Sequence, residues 1–225
     1  TDYIRVLDRS GYFETVTLSE DDLKRNDMYR ANAQRAKAQS RFADYHDYLL
    51  SLEMTAEIGD FPPLYLQRIT QLTNKSNQFN LTTKRYTAEQ MEAVYNSDEY
   101  IRLYGKLYDK FGDNGVVAVT IGKTDSEDKG RLDIELWLMS CRVLKRDMEL
   151  AMLDSLVAQA KKRGIREIYG HYYPTAKNKM VAGLYESFGF EKISQDEEGN
   201  TAWRLLVEGY EDKNTVIKVK EEHYA

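Results

Sequence analysis

Residues 141–149 read Cys141-Arg142-Val143-Leu144-Lys145-Arg146-Asp147-Met148-Glu149. Three cations ahead of an amphipathic stretch suit anion binding. Where a strand feeds a helix, unpaired backbone N–H groups and the positive end of the helix dipole face one point, and a pyrophosphate is a natural occupant. Two residues complicate that cradle. A glycine in place of Lys145 would let the backbone approach a phosphate, and a lysine there costs roughly 1 kcal/mol if φ must be positive. The Lys145 ammonium could instead meet the same anion. Asp147 sets a negative charge where the anion would land, so the segment also reads as a charged helix N-terminus carrying a dipole-favoured aspartate. Upstream, Asp133, Glu135, Trp137, Met139 and Cys141 fall at every second position, which strand alternation puts on one face. Glu135 could act as general base toward an amine, or be a solvated or hydrogen-bonded strand acid. Cys141 could carry a thioester, but a lone cysteine at a strand end is more often a small packed residue.

These residues depend on the elements around them. The pattern predicts a helix over Asp147–Arg163, with Met148, Met152, Leu156 and Ala160 on one side and Gly164 as its stop. Strands are expected over Tyr100–Phe111, Val116–Ile121 and Leu132–Cys141. Gly112-Asp113-Asn114-Gly115 and Asp125–Gly130 separate them with the turn chemistry of antiparallel hairpins. A strand Ile165–Tyr172, a helix Lys177–Phe188 and a strand Ala202–Val207 follow. Before the meander, Pro62-Pro63 open a helix with Tyr65, Ile69 and Leu72 inward. A strand Leu81–Tyr86 and a short helix Ala88–Tyr95 come next. Asn74–Tyr86 is dense in Asn, Gln, Thr, Lys and Arg, and either binds ligand or ties the first strand to its neighbours. At the start, Ser19 with Asp22 caps a polar helix Asp21–Gln39. A second helix carries Phe42, Tyr45, Tyr48, Leu49 and Leu52 on one face. The fold class expected is α/β, a mixed central sheet flanked by helices and preceded by a helical arm.

Composition narrows the function. The 225 residues hold 42% hydrophobic and 31% charged side chains with a net charge of −5, enough for one sizeable core and an appendage. No basic stripe marks a nucleic-acid partner, and no apolar run reaches membrane-spanning length. Cys141 is the single cysteine, and His46, His171 and His223 are scattered, so no metal site is expected. The cytoplasm is the default location.

The strand–loop–helix segment resembles the cofactor loop of GNAT acyltransferases: Arg or Gln, two residues, Gly, one residue, then Gly or Ala. Arg142 matches the first position; Lys145 and Asp147 replace the small residues. Lys177-Asn178 followed by Tyr185-Glu186-Ser187-Phe188-Gly189-Phe190 is similar to the GNAT helix ending in Tyr-x-x-x-Gly-Phe. The resemblance implies an acyl-CoA or phosphopantetheine thioester held by Arg142, Val143, Leu144, Lys145, Arg146 and Asp147. Asn178 would reach the pantetheine, and Tyr185 would protonate the departing thiolate. A wider resemblance, to FkbH-like proteins of the HAD superfamily, rests on three stretches. They are Tyr12-Phe13-Glu14 with Leu18–Asp22 and Tyr29-Arg30, then Gln71–Tyr86, then Ser140–Leu144 with Arg146 and Glu149. It implies a HAD domain ahead of Thr1, an acyl carrier protein as partner, and biosynthetic work such as loading a glyceryl unit onto that carrier. The expected organisation is a helical arm over 1–54 (the tail of the HAD domain plus a connector), a GNAT-like domain over 55–210 and a tail over 211–225. A non-catalytic module that docks a carrier protein or scaffolds the HAD domain is the alternative. HAD chemistry uses an Asp-x-Asp pair with Mg²⁺, and the sequence contains no such triplet. The chain is therefore expected to show no Mg²⁺-dependent turnover of a generic phosphate ester. Turnover abolished by EDTA would contradict this.

Overall fold

The computed structural model describes residues 20–221. Helix α1, Glu20–Gln39, belongs to one unit, and everything from Asp44 onward to a second. The expected cap at Ser19 lies outside the described residues. In α1 the absence of Gly and Pro and the run of Ala, Arg, Lys and Gln favour helix.

The second unit opens with helix α2, Tyr45–Ser51, capped where the Asp44 carboxylate accepts the Asp47 N–H at 3.0 Å. Tyr48, Leu49 and Leu52 are buried. Strand β1, Thr55–Gly59, leads through a 3₁₀ turn at Pro63–Tyr65 into helix α3, Leu66–Lys75, whose inward stripe is Ile69 and Leu72. The two-residue strand β2, Phe79–Asn80, precedes helix α4, Ala88–Tyr95. A full capping box between Thr87 and Gln90 starts α4, satisfying two backbone donors that helix ends leave open. Strands β3 (Tyr100–Asp109), β4 (Gly112–Thr124) and β5 (Arg131–Met139) form an antiparallel meander. Helix α5, Met148–Lys162, crosses to strand β6, Glu167–Tyr172. A one-turn helix α6, Leu184–Ser187, and strands β7 (Glu191–Gln195), β8 (Thr201–Leu206) and β9 (Lys218–Glu221) complete the unit.

The sheet order is β7-β8-β6-β5-β4-β3-β1-β9, with β2 paired to β5 off that path. Two pairs are parallel, β5 with β6 and β1 with β9. Helices α3 and α4 cover one face, where Ile69, Leu72, Met91 and Val94 pack with Tyr104, Val119, Ile121, Leu136 and Leu138. Helix α5 covers the other, its Met148 and Met152 seated over Gly105 and Ala118. Trp137 and Phe188 meet on that side at 5.3 Å between ring centroids.

The structure corrects several local expectations. Strand alternation along β5 breaks: Ile121 faces Leu136 but its neighbour Gly122 faces Ile134, so Glu135 is an extra, bulged residue. A bulge reverses the facing of everything beyond it. Trp137 and Met139 therefore do not share a face with Glu135, whose carboxylate turns toward Tyr86. Cys141 lies past the strand, in a 3₁₀ turn Cys141–Val143. Residues 81–86 form no strand, because their polar groups bond outward to β5 and to α3. The helix expected over Lys177–Phe188 is interrupted: a 3₁₀ turn at Lys179–Val181 is separated from α6 by Gly183. Thr175 ties its backbone and hydroxyl to Asn178 there, a local bond that competes with helix.

Gly170 in β6 faces the ring of Tyr185, and a Cβ there would stand 2.3 Å from one ring carbon and 2.4 Å from another. The ring is itself wedged by Phe190 at 5.0 Å, so it has nowhere to retreat. Gly170→Ala is expected to destabilise the protein by about 2 kcal/mol, as core overpacking does; urea unfolding measures it.

Candidate functional site

Strands β5 and β6 pair for three positions only, Arg131–Asp133 with Glu167–Tyr169. Beyond them the β5 edge is free of β6. Three groups of residues meet around that divergence.

The first is the loop entering α5. Ser140 N–H bonds Val117 O at 2.7 Å, and the Ser140 hydroxyl receives the Arg142 N–H at 3.4 Å. Lys145 (φ 62°) and Asp147 (φ 59°) are both left-handed. These are the positions where the loop it resembles carries small residues, and here the left-handed turn forms without glycine. Val143 is fully buried, Leu144 half-buried, and the Lys145 side chain exposed. The Lys145 carbonyl accepts the Tyr45 hydroxyl at 2.5 Å. Arg146 turns inward, donating to Asp109 at 3.0 Å, Asn114 at 3.3 Å and the Arg142 carbonyl at 2.9 Å. The Asp109 side chain is completely buried, and a buried carboxylate needs such a partner. The expected cluster of three loop cations thus has one member built into the hairpin. Burial pushes the carboxyls of Asp147 and Glu149 above their ordinary range, with His46 opposing it at Asp147 and the Asp147 charge adding to it at Glu149.

The second group fills the gap between the strands. Phe79 and Asn80 pair with Met139 and Leu138 on the β5 edge opposite β4. Leu81 N–H donates to Trp137 O at 3.1 Å, and Leu81 O accepts Tyr173 N–H at 2.9 Å. Thr82 Oγ1 donates to Glu135 O at 2.7 Å. Asn178 is completely buried; its amide donates to Asn80 O and Tyr173 O, each at 2.9 Å. Beneath β6, Tyr185 is completely buried and its hydroxyl has no hydrogen-bond partner among the described residues. Burial drives its pKa far up, opposed in smaller part by the His171 main chain.

The third group lines a cavity of about 400 Å³ on the α3/α4 side, among Thr82, Lys84, Asp133, Ile134, Glu135, His171 and Tyr173. Glu135 is held by Lys84 at 2.6 Å and by the Tyr86 hydroxyl at 3.1 Å. Burial and the Glu135 charge together raise the Tyr86 pKa. Asp133 meets His171 at 3.3 Å and Arg131 at 2.7 Å. Although burial pushes the Asp133 carboxyl up, these two partners hold it below its ordinary value. Sequence reasoning singled out Glu135 here and by spacing set Asp133 on the same strand face, but gave Asp133 no role and missed His171, Lys84 and Tyr86. The partnership with His171 needed the β5–β6 register, and the partnership with Lys84 and Tyr86 needed the bulge. Arg142, Lys145 and Asp147 share one loop, whereas Asn178 and Tyr185 stand across the gap near β6.

Glu149 Oε2 is buried without a hydrogen-bond partner among the described residues. Its raised pKa means the native state holds the proton more tightly than the unfolded chain. The ionised form therefore costs stability above the folded pKa, and the cost disappears as pH falls below the ordinary glutamate value. Glu149→Gln is expected to stabilise the protein by about 1 kcal/mol at neutral pH, with the gain fading in acid. Urea unfolding across that pH interval tests it; a gain independent of pH would refute the assignment.

No protein-family model and no curated protein matches the sequence. The fold does have solved counterparts. The ribosomal-protein-S18-alanine N-acetyltransferase from Escherichia coli superposes with a TM-score of 0.51 at 13% identity, covering 72% of this chain and 99% of that one. An acetyltransferase from Thermus thermophilus gives 0.52 at 13% identity, covering 68% and 97%. The Salmonella typhimurium protein yncA, solved with its cofactor acetyl-CoA, gives 0.51 at 14% identity, covering 70% and 96%. The mixed sheet of this chain, with its flanking helices and the divergence of β5 from β6, has the GNAT acyl-CoA N-acyltransferase fold.

Proposed function

We propose that this chain is the GNAT-type domain of an FkbH-like biosynthetic protein, handling an acyl thioester borne by coenzyme A or by the phosphopantetheine of an acyl carrier protein. The observation that carries the reading is the loop before α5. Lys145 and Asp147 hold left-handed backbone at the mouth of diverging strands, a conformation that Asp tolerates and that a lysine does not favour. Two further features support it: the fully buried Tyr185 hydroxyl beneath β6, without a side-chain hydrogen-bond partner among the described residues, and Glu135 on the bulge facing a cavity large enough for an acceptor. In this reading Arg142 and Lys145 supply positive charge at the mouth, Asn178 orients an amide-bearing arm, and the HAD domain and the carrier protein are partners.

The pantetheine arm does not fit the gap as it stands, because Phe79–Leu81 already bond the β5 edge. That observation favours a second reading, a non-catalytic module that docks the carrier protein or scaffolds the HAD domain.

Calorimetry of the wild-type chain and Lys145→Gly with coenzyme A and acetyl-CoA separates the two. Glycine relieves a left-handed backbone cost of roughly 1 kcal/mol and removes one charge. The thioester reading therefore expects both proteins to bind, with affinities within about tenfold of each other. Absence of binding by both proteins at millimolar ligand would leave the docking module standing.

A further inference from the structure

We infer that Phe79–Thr82 is a built-in occupant of the thioester-arm slot, a strap that must leave β5 before an arm can bind. The inference rests on the thioester reading above. A phosphopantetheine arm is a flexible chain carrying two secondary amides, so against a free strand edge it bonds as a short strand would. The strap supplies those same groups. Its Leu81 N–H meets Trp137 O on one side, and its Leu81 C=O meets Tyr173 N–H on the other. Leu81 alone thus spans the gap, with one main-chain hydrogen bond to each side. That is the width of a single strand, since neighbouring strands lie ~4.8 Å apart, and a second chain has no room. Phe79, Asn80 and Leu81 are at most 5% exposed, so the strap is a packed plug. Asn178, the residue suited to orienting an arm, donates instead to Asn80 O.

The strap also ends under strain. Thr83 is left-handed at φ 55°, an outlier for a β-branched residue. It is held there where its N–H meets the Asn80 carboxamide oxygen at 2.9 Å. Immediately beyond it, Lys84 and Tyr86 hold the Glu135 carboxylate. Withdrawal of the strap would therefore open the slot and release Glu135 together. A slot closed most of the time binds its ligand with an affinity reduced by the open fraction.

The test uses the 225-residue chain with coenzyme A as probe. Hydrogen exchange at the Leu81 amide is followed as coenzyme A is added, and that amide is expected to lose protection as the protein saturates. Leu81→Pro removes the N–H that meets Trp137, and Asn80→Gly removes the anchors on Thr83 and Ser76. Each should bind coenzyme A about tenfold more tightly or better than wild type. If Leu81→Pro does not fold by circular dichroism, Asn80→Gly and the wild-type exchange experiment decide. Coenzyme A binding to wild type with Leu81 still protected overturns the strap while leaving the thioester reading in place. So does equal affinity in wild type and folded variants. Failure of every folded protein to bind millimolar coenzyme A removes the thioester reading itself, and the inference with it.

Discussion

The free edge of β5 beyond Asp133 is the constraint on which the rest of the unit depends. Once β6 diverges, the main-chain groups of residues 135–139 face a gap on one side. Buried peptide groups left unpaired cost more than a hydrogen bond returns. The chain answers by laying Phe79–Leu81 along that edge and closing the far side through Tyr173. Much of the surrounding architecture serves this arrangement. Asn80 is braced by Ser76 and Thr83, Asn178 by Thr175 and Tyr173, and Glu135 by Lys84 and Tyr86. Any ligand of this edge has to replace several such bonds at once, each worth about 1 kcal/mol net.

The electrostatics of the α5 N-terminus point the same way. A helix start beside diverging strands is suited to an anion, yet the chain sets Asp147 and Glu149 there, both with carboxyls raised by burial. The Arg146 guanidinium, instead of facing an incoming phosphate, neutralises the buried Asp109 of the β3–β4 hairpin. The loop thus makes a left-handed turn at a helix start, and side chains of the same chain take up much of its polar capacity. Physical compensation within the chain also explains the left-handed Lys145: its carbonyl is fixed by the Tyr45 hydroxyl, reached from α2.

The cavity beside Glu135 follows from one irregularity. Without the bulge at Glu135, that carboxylate would share a face with Trp137, which packs on Phe188 under the sheet. The extra residue turns it toward Lys84, Tyr86 and the cavity that His171 and Asp133 complete. The bulge and the strand divergence lie on the same strand, within a few residues. Two neighbouring departures from regular pairing therefore shape both sides of the sheet.

Local chemistry wrote much of this structure into the sequence. The amphipathic repeat Met148, Met152, Leu156, Ala160 determined α5, with Gly164 left-handed just beyond its end. Ile69 and Leu72 determined the buried stripe of α3, and alternating apolar residues determined the meander of β3, β4 and β5. These patterns are legible because helix and strand periodicities are intrinsic to the backbone. The GNAT-like order of elements followed from them. The bulge, the strap and the pairing of Asp133 with His171 did not. A bulge leaves the apolar count of a strand unchanged, so nothing in Leu132–Met139 announces it. Asn77–Thr83 carries side chains that suit a strand, a ligand loop or a brace equally well. Which of these it becomes is set by the vacant edge of β5, built from residues more than fifty positions away. Hydrogen-bond satisfaction across that distance belongs to the tertiary structure alone, and it decided what occupies the site.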